Sequence, residues 1–263
     1  MSRKGARYRF YLPAETLAGE EAVCSGAQVH HAARVLRLRP GDRIEVFDGR
    51  GAAYQAAITS IEPSARPEGR MLLRILGSLE TRAEPSFEFI LHQGLVREAK
   101  MDLVIQKAVE LGAAGIVPVA CLRSSVELSG RRAVQRVERW QSIAVEAARQ
   151  CGRSRVPPVS PVRFFEEAAV ALPPGEPAVL LWEAEEQRGL REVLESLGPA
   201  KALAQARLNF FIGPEGGFAP EELEIARRQK MAFASLGPRI LRTETAGLAT
   251  LAAVMYHFGE LGR

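Results

Sequence analysis

The sequence predicts an α/β protein in two parts, a small β-rich domain over residues 1–82 and a larger domain over residues 83–263 built on a mainly parallel sheet. Three observations carry this. Residues 1–82 alternate short runs rich in aromatic and β-branched side chains with turns. After residue 85, strand-like runs alternate with amphipathic helical stretches, the pattern of strands joined by crossover helices. At roughly 100–200 residues per domain, the length of 263 suits one large or two modest domains.

In the first part, Arg7–Leu12, Arg43–Phe47, Ala53–Ile61 and Met71–Leu76 read as strands, and Asp48-Gly49-Arg50-Gly51 reads as a hairpin turn. Ser25–Leu36 has helical spacing, giving a small barrel-like domain with one helix. The polar stretch Leu79–Pro85 is the expected linker. In the second part, Phe87–His92, Gly115–Ala120, Ala178–Trp182, Leu208–Ile212 and Ala232–Leu236 are expected strands. Helix Glu98–Leu111 should bury Met101, Ile105, Ala108 and Leu111. Helix Arg131–Cys151 should bury a stripe of Val134, Val137, Trp140, Ala144, Ala148 and Cys151, with Arg132, Arg136 and Arg139 off it. Further helices are expected around Leu190–Leu197, from Pro220, where acids beside the first turn suit the helix dipole, and at the C-terminus.

Composition narrows the function. Hydrophobic residues at 47% and charged residues at 25% describe an ordinary globular chain. The longest weakly polar stretch, Ala246–Phe258, is too short to span a bilayer, and the N-terminus lacks an apolar run behind its basic residues, so a cytoplasmic protein is expected. Cys24, Cys121 and Cys151 fit neither a disulfide framework nor a zinc motif, and the four histidines are not spaced as ligands, so no metal is expected. The net charge of +4 is segregated: residues 1–82 carry +4 and residues 121–163 carry +6, while residues 164–263 carry −4. Thirty of the 35 cations are arginine, which forks onto phosphates and stacks on bases, so the two basic blocks favour an anionic partner.

Two loops following predicted strands carry the chemistry. Gly213-Pro214-Glu215-Gly216-Gly217-Phe218 and Leu236-Gly237-Pro238-Arg239-Ile240-Leu241-Arg242-Thr243-Glu244-Thr245-Ala246 both fall at the carboxyl ends of strands, where α/β sheets bind ligands. Consecutive glycines allow backbone amides to approach a ligand. Neither loop has Walker or dinucleotide-fold spacing. Tight structural turns are the competing reading, weakened by the charges of Glu215, Arg239, Arg242 and Glu244.

GPEGGF followed by LGPRILRTETA resembles the C-terminal signature of the ribosomal RNA uracil-N3 methyltransferase family, the RsmE-like branch of the SPOUT superfamily. His31-Ala32-Ala33-Arg34-Val35-Leu36-Arg37 with Gly41-Asp42, Gln106–Gly112 and Glu146–Arg153 extend the resemblance over nearly the whole chain. It departs at the long Glu183–Arg207 connection and at Cys151. The resemblance implies a PUA-like β-barrel before a SPOUT-type α/β domain with a C-terminal trefoil knot. It also implies S-adenosylmethionine as methyl donor, a homodimer, and 16S ribosomal RNA of the small subunit as substrate. Carried over by motif, the cofactor site falls on Leu181, Gly213, Glu215, Gly216, Gly217, Leu236, Gly237, Ile240, Leu241 and Thr245.

A uridine N3 carries a proton, and once that proton leaves, negative charge spreads to the flanking carbonyl oxygens. Arg242 is expected to stabilise this charge, and Glu244 or Glu215 to accept the proton or orient the group that does. Two other readings stay open: Glu215 as a helix N-terminal carboxylate, and Glu244 as an ion-pair partner of Arg239 or Arg242. Arg7, Arg9, Arg34, Arg37, Arg123, Arg149, Arg153 and Arg155 are the expected RNA contacts. A non-catalytic RNA-binding protein, or a methyltransferase acting on guanosine or a ribose hydroxyl, are the alternative functions.

Overall fold

The computed structural model describes residues 8–62, 69–81, 84–199 and 206–262. The chain forms two compact units, residues 1–84 with 148–156, and residues 85–147 with 157–263. Residues 148–156, expected in the second domain, pack with the first, a grouping that periodicity alone does not reveal.

In the first unit, β1 (Arg9–Tyr11), β2 (Leu17–Ala18), β3 (Glu21–Ser25), β4 (Arg43–Phe47), β5 (Ala53–Glu62) and β6 (Arg70–Leu79) form one sheet in the order β1-β4-β5-β6-β3-β2. Only β1 and β4 run parallel. The expected helix is short: α1 (Ala27–His30) widens into a π-type turn over His31–Val35. Val29 and Ala32 from this segment join Phe10, Ile44, Val46, Ile58 and Met71 in the core. The hairpin after β4 is closed by Asp48, whose Oδ1 accepts from the amides of Arg50, Gly51 and Ala52 at 2.8, 3.1 and 3.0 Å, an Asx-type turn.

Two arginines expected at RNA belong instead to this interior. The Arg9 guanidinium lies 4.3 Å from the centroid of Phe47. It donates to the carbonyls of Ala148 (3.2 Å) and Arg153 (2.6 Å) and to Ser154 Oγ (2.8 Å), with Glu45 3.7 Å away. The Arg153 side chain is 3% exposed and forks onto Glu84 Oε2 at 2.8 and 3.1 Å. Glu84 Oε1 accepts the amides of Ser154 and Arg155. These contacts explain why residues 148–156 travel with the first unit: they supply acceptors for a cation that burial would otherwise make costly. Arg7 lies outside the described residues.

In the second unit the strands are β7 (Glu88–Gly94), β8 (Gly115–Ala120), β9 (Arg163–Phe164), β10 (Ala178–Leu181), β11 (Arg207–Ile212) and β12 (Ala232–Ala234). They form one wholly parallel sheet in the order β12-β10-β11-β7-β8-β9. The helices are α2 (Glu98–Glu110), α3 (Gly130–Cys151), α4 (Phe165–Val170), α5 (Leu190–Ser196), α6 (Pro220–Arg228) and α7 (Thr243–His257). β7, β8 and β11 are buried almost throughout, as strands covered on both faces must be. β7 and β11 are neighbours, yet the chain leaves β7 toward β8 and leaves β11 toward β12, a reversal that opens a crevice at their carboxyl ends.

Two helix faces differ from expectation. On α2 the buried set is Met101, Val104, Ile105, Ala108 and Val109, and Leu111 is only half-buried past the helix end. On α3 the stripe is buried only from Trp140 to Ala148; Cys151 is half-buried and Val134 is 58% exposed. Arg136 and Arg139 lie off the stripe as expected and pair with Glu98 and Asp102 of α2, the latter at 2.6 Å. No helix among the described residues is long and apolar enough to cross a membrane.

Candidate active site

The carboxyl ends of β10, β11 and β12 open into a cleft of about 1030 Å³ within the second unit. Leu181 and Ile212 line it, and its walls are the loops after β10, β11 and β12, the first contributing Trp182, Glu183 and Arg188. Of the residues expected at a cofactor, Leu181, Gly213, Glu215, Gly216, Gly217, Leu236, Gly237, Ile240 and Leu241 all line it, and so does Arg242. Thr245 does not. Helix α7 starts at Thr243, so Thr243 and Ala246, one turn apart, share the cleft face, while Thr245 points away and is exposed.

The glycines of the first loop answer to protein crowding more than to ligand approach. A Cβ on Gly216 would stand 2.8 Å from the Arg123 carbonyl oxygen, and one on Gly217, at φ +69°, would stand 2.7 Å from Glu183 Oε1. Gly237 differs: its φ is +103° and nothing of the protein lies within 4 Å of its missing Cβ.

The expected carboxylates converge on a cation that the motifs do not contain. Lys100 Nζ of α2 lies 2.6 Å from Glu215 Oε1 and 3.2 Å from Glu244 Oε1. Ser125 Oγ donates to the other oxygen of Glu215 at 3.2 Å. The Lys100 hydrogen bond holds the Glu215 carboxyl below the usual range, and the two carboxylates raise the lysine. Glu244 is therefore paired with Lys100, not with Arg239 or Arg242. Its Oε2 is buried without a hydrogen-bond partner among the described residues, and it does not line the cleft. Lys100 escapes sequence reading because a charged residue in the first turns of a helix reads as a solvated one; the available signal was its rarity, one of five lysines against thirty arginines.

Arg242 is exposed and caps α7, its carbonyl accepting the amides of Thr245 and Ala246 at 2.8 Å each. Its guanidinium makes no ion pair with the described residues, in contrast to Arg9 and Arg153. Ile240, in the same wall, is 86% exposed. Of the other expected RNA contacts, Arg34, Arg37, Arg123 and Arg155 are exposed and Arg149 is half-buried. Arg37 sits at φ 55°, a conformation side chains other than glycine rarely adopt.

Residues 83–255 match the RNA methyltransferase domain family, and residues 25–65 match the RNA methyltransferase PUA domain. The ribosomal RNA small subunit methyltransferase E of Bacillus subtilis is 31% identical over 232 residues, covering 88% of each chain. That of Mycobacterium bovis is 31% identical over 254 residues, covering 93% of this chain and 90% of the relative. The Neisseria gonorrhoeae enzyme of that name, solved with S-adenosylmethionine bound, superposes with a TM-score of 0.80 at 33% identity, covering 96% of this chain and 98% of that one. The chain thus carries a PUA domain and an RNA methyltransferase domain, and it belongs to the ribosomal RNA small subunit methyltransferase E family.

Proposed function

We propose that this chain methylates N3 of a uridine in small-subunit (16S) ribosomal RNA, using S-adenosylmethionine held in the cleft of the second unit. The observation that carries the reading is the cleft itself: a pocket of about 1030 Å³ walled by two glycine loops, with a permanently charged Arg242 on its wall that makes no ion pair among the described residues. The residues fit such a cofactor. Leu181, Ile212, Leu236 and Leu241 offer apolar surface for a purine, the loop backbones offer donors and acceptors, and Gly237 leaves room that a side chain would fill. A relative solved with S-adenosylmethionine bound lends the same support.

Once bound, the cofactor supplies an electrophilic methyl group on a sulfonium. The protein's part is to orient the base and stabilise the charge that appears when N3 loses its proton. Arg242 is placed to donate to a uracil carbonyl oxygen, which leaves N3 free to react. Neither Glu215 nor Glu244 is placed to take the imide proton, and Glu244 does not line the cleft. Glu215 has both oxygens engaged and is kept ionised, and the free oxygen of Glu244 is buried. We assign both to fixing Lys100 between the two loops, with the imide proton leaving to solvent.

The trefoil knot belongs to this proposal. It is supported by the return of the chain over β7 after β12, where a Cβ on Gly247 would meet Gln93 Oε1 at 2.6 Å, and by the close passage of the loop after β11, whose backbone at Ile212–Pro214 a Cβ on Gly94 would meet. So do the homodimer, supported by the exposure of Leu103, Leu122 and Val134 in the second unit, and a cytoplasmic location beside the ribosomes it would serve. Arg34, Arg37, Arg123, Arg149 and Arg155 remain the proposed RNA contacts. Nucleoside mass spectrometry of small-subunit ribosomal RNA from a strain lacking the protein tests the activity: N3-methyluridine should disappear, and its persistence refutes the reading. Light scattering on the purified protein tests the dimer.

A further inference from the structure

The two loops that wall the cleft meet at one buried point. Gln93, near the end of β7, is fully buried, and its Nε2 donates to Thr243 Oγ1 at 3.0 Å and to the Gly94 carbonyl at 3.2 Å. The Thr243 hydroxyl in turn donates to the Gly213 carbonyl oxygen. A hydroxyl has one hydrogen, so with that hydrogen on Gly213 it can only accept from Gln93. Reversing the Gln93 amide would set its oxygen against the Gly94 carbonyl, so the direction of the relay is fixed. Below it, a Cβ on Gly94 would stand 2.6 Å from Pro214 N and 2.7 Å from the Gly213 carbonyl carbon. Gly213 opens one loop and Thr243 closes the other, and a single hydroxyl, 6% exposed with its residue, ties them to the end of β7.

We infer that Thr243 is a positioning residue whose hydroxyl, oriented by Gln93, sets the spacing of the loops 213–218 and 236–242 and so the fit of the cleft to an adenosyl ligand. This rests on the reading of the cleft as a cofactor site. Without the hydroxyl, the Gly213 carbonyl and the Gln93 amide both lose a buried partner. The loops should feel that loss more than the strands, because β7 and β11 are locked by a six-residue parallel register from Arg207↔Glu88 to Ile212↔Gln93.

The test measures binding of S-adenosylhomocysteine by calorimetry to the full-length protein and to Thr243→Val, Thr243→Ser and Gln93→Met, with amide hydrogen exchange of each ligand-free protein. Thr243→Val, nearly isosteric, should bind about tenfold more weakly, the equivalent of one strong hydrogen bond, and Thr243→Ser should stay within about twofold. Gln93→Met, which leaves the hydroxyl in place, should lose about threefold. Exchange should quicken in 213–218 and 236–246 and not in β7 or β11. Wild-type affinity in Thr243→Val, or a uniform rise in exchange, overturns the inference. Should Thr243→Val not fold, Gln93→Met with unchanged affinity and exchange overturns it equally. Failure of the wild type to bind is a failure of the cofactor reading, and the ligand-free exchange still judges the inference.

Discussion

Arginine has two fates in this molecule. In the first unit, Arg9 and Arg153 are folded inward, each among fixed acceptors, with Glu84 taking hydrogen bonds from one guanidinium and two backbone amides. In the second unit, Arg242 stands at a cleft wall with no ion pair among the described residues. A buried cation without acceptors is prohibitive, so the first pair is a condition of folding. An exposed cation beside a cavity adds little to stability, and the role proposed for this one is toward a ligand. Residue type and basic clustering cannot separate these cases; the acceptors around each guanidinium do.

The contrast is sharpest on activity. Arg242→Ala should cut methyl transfer by about 10²–10³-fold, the usual cost of one transition-state donor, with melting temperature and cofactor affinity nearly unchanged; single-turnover assays beside calorimetry read both. A variant with near-normal turnover would place Arg242 with the ordinary surface charges.

The interior side is tested by Arg9→Met. It should destabilise the protein by about 3–5 kcal/mol in urea unfolding, because the partners of a buried charge are stranded. Turnover per folded molecule should not change. A loss below about 1 kcal/mol would show that Arg9 behaves as an exposed residue.

A third buried base extends the comparison to pH. His92 stacks on Phe211 at 4.0 Å, and its Nε2 faces Asn209 Oδ1 at 3.0 Å. Its Nδ1 is buried without a partner among the described residues, and burial pushes the imidazole down from 6.5 to about 4. The unfolded chain therefore binds the proton first. Stability should be constant above pH 6.5 and fall as pH drops from 6.5 toward 4, by roughly 3 kcal/mol in all. His92→Gln should flatten that part of the stability profile, and an unaltered slope would mean other groups produce it.

The smallest effect is expected at exposed cations. Arg34→Glu with Arg37→Glu should weaken binding to a small-subunit RNA fragment and lower its log–log salt slope by about 1–2, reflecting fewer displaced counterions. An unchanged slope removes this face from the RNA contact.

How far the sequence reached follows the same division. Most of the alternation from β7 to α7 is readable because those elements carry their own period, and both cleft loops are readable because glycine, proline and charge crowd together there. β2 and β3 were missed, the first being two residues long and the second, Glu21–Ser25, too mixed to alternate cleanly. β9 and α4 sit in a stretch with no clear period. Lys100 and the Gln93–Thr243 tie depend on residues about 115–150 positions apart, and no local pattern encodes such a pairing. Motif resemblance alone puts Thr245 at the cofactor, and helical geometry turns it away from the cleft.

The inclusion of residues 148–156 in the first unit has a consequence for biosynthesis. A ribosome releases Arg9 and Glu84 long before Arg153 and Ser154. At about 5–20 residues per second, the wait between Glu84 and Arg153 is on the order of 3.5–14 s. During that interval the nascent N-terminal segment holds an arginine and a glutamate without their native partners, so it cannot finish folding as a separate 84-residue piece. Excising it as a stand-alone domain should fail for the same reason, unless the stretch that closes it is grafted back.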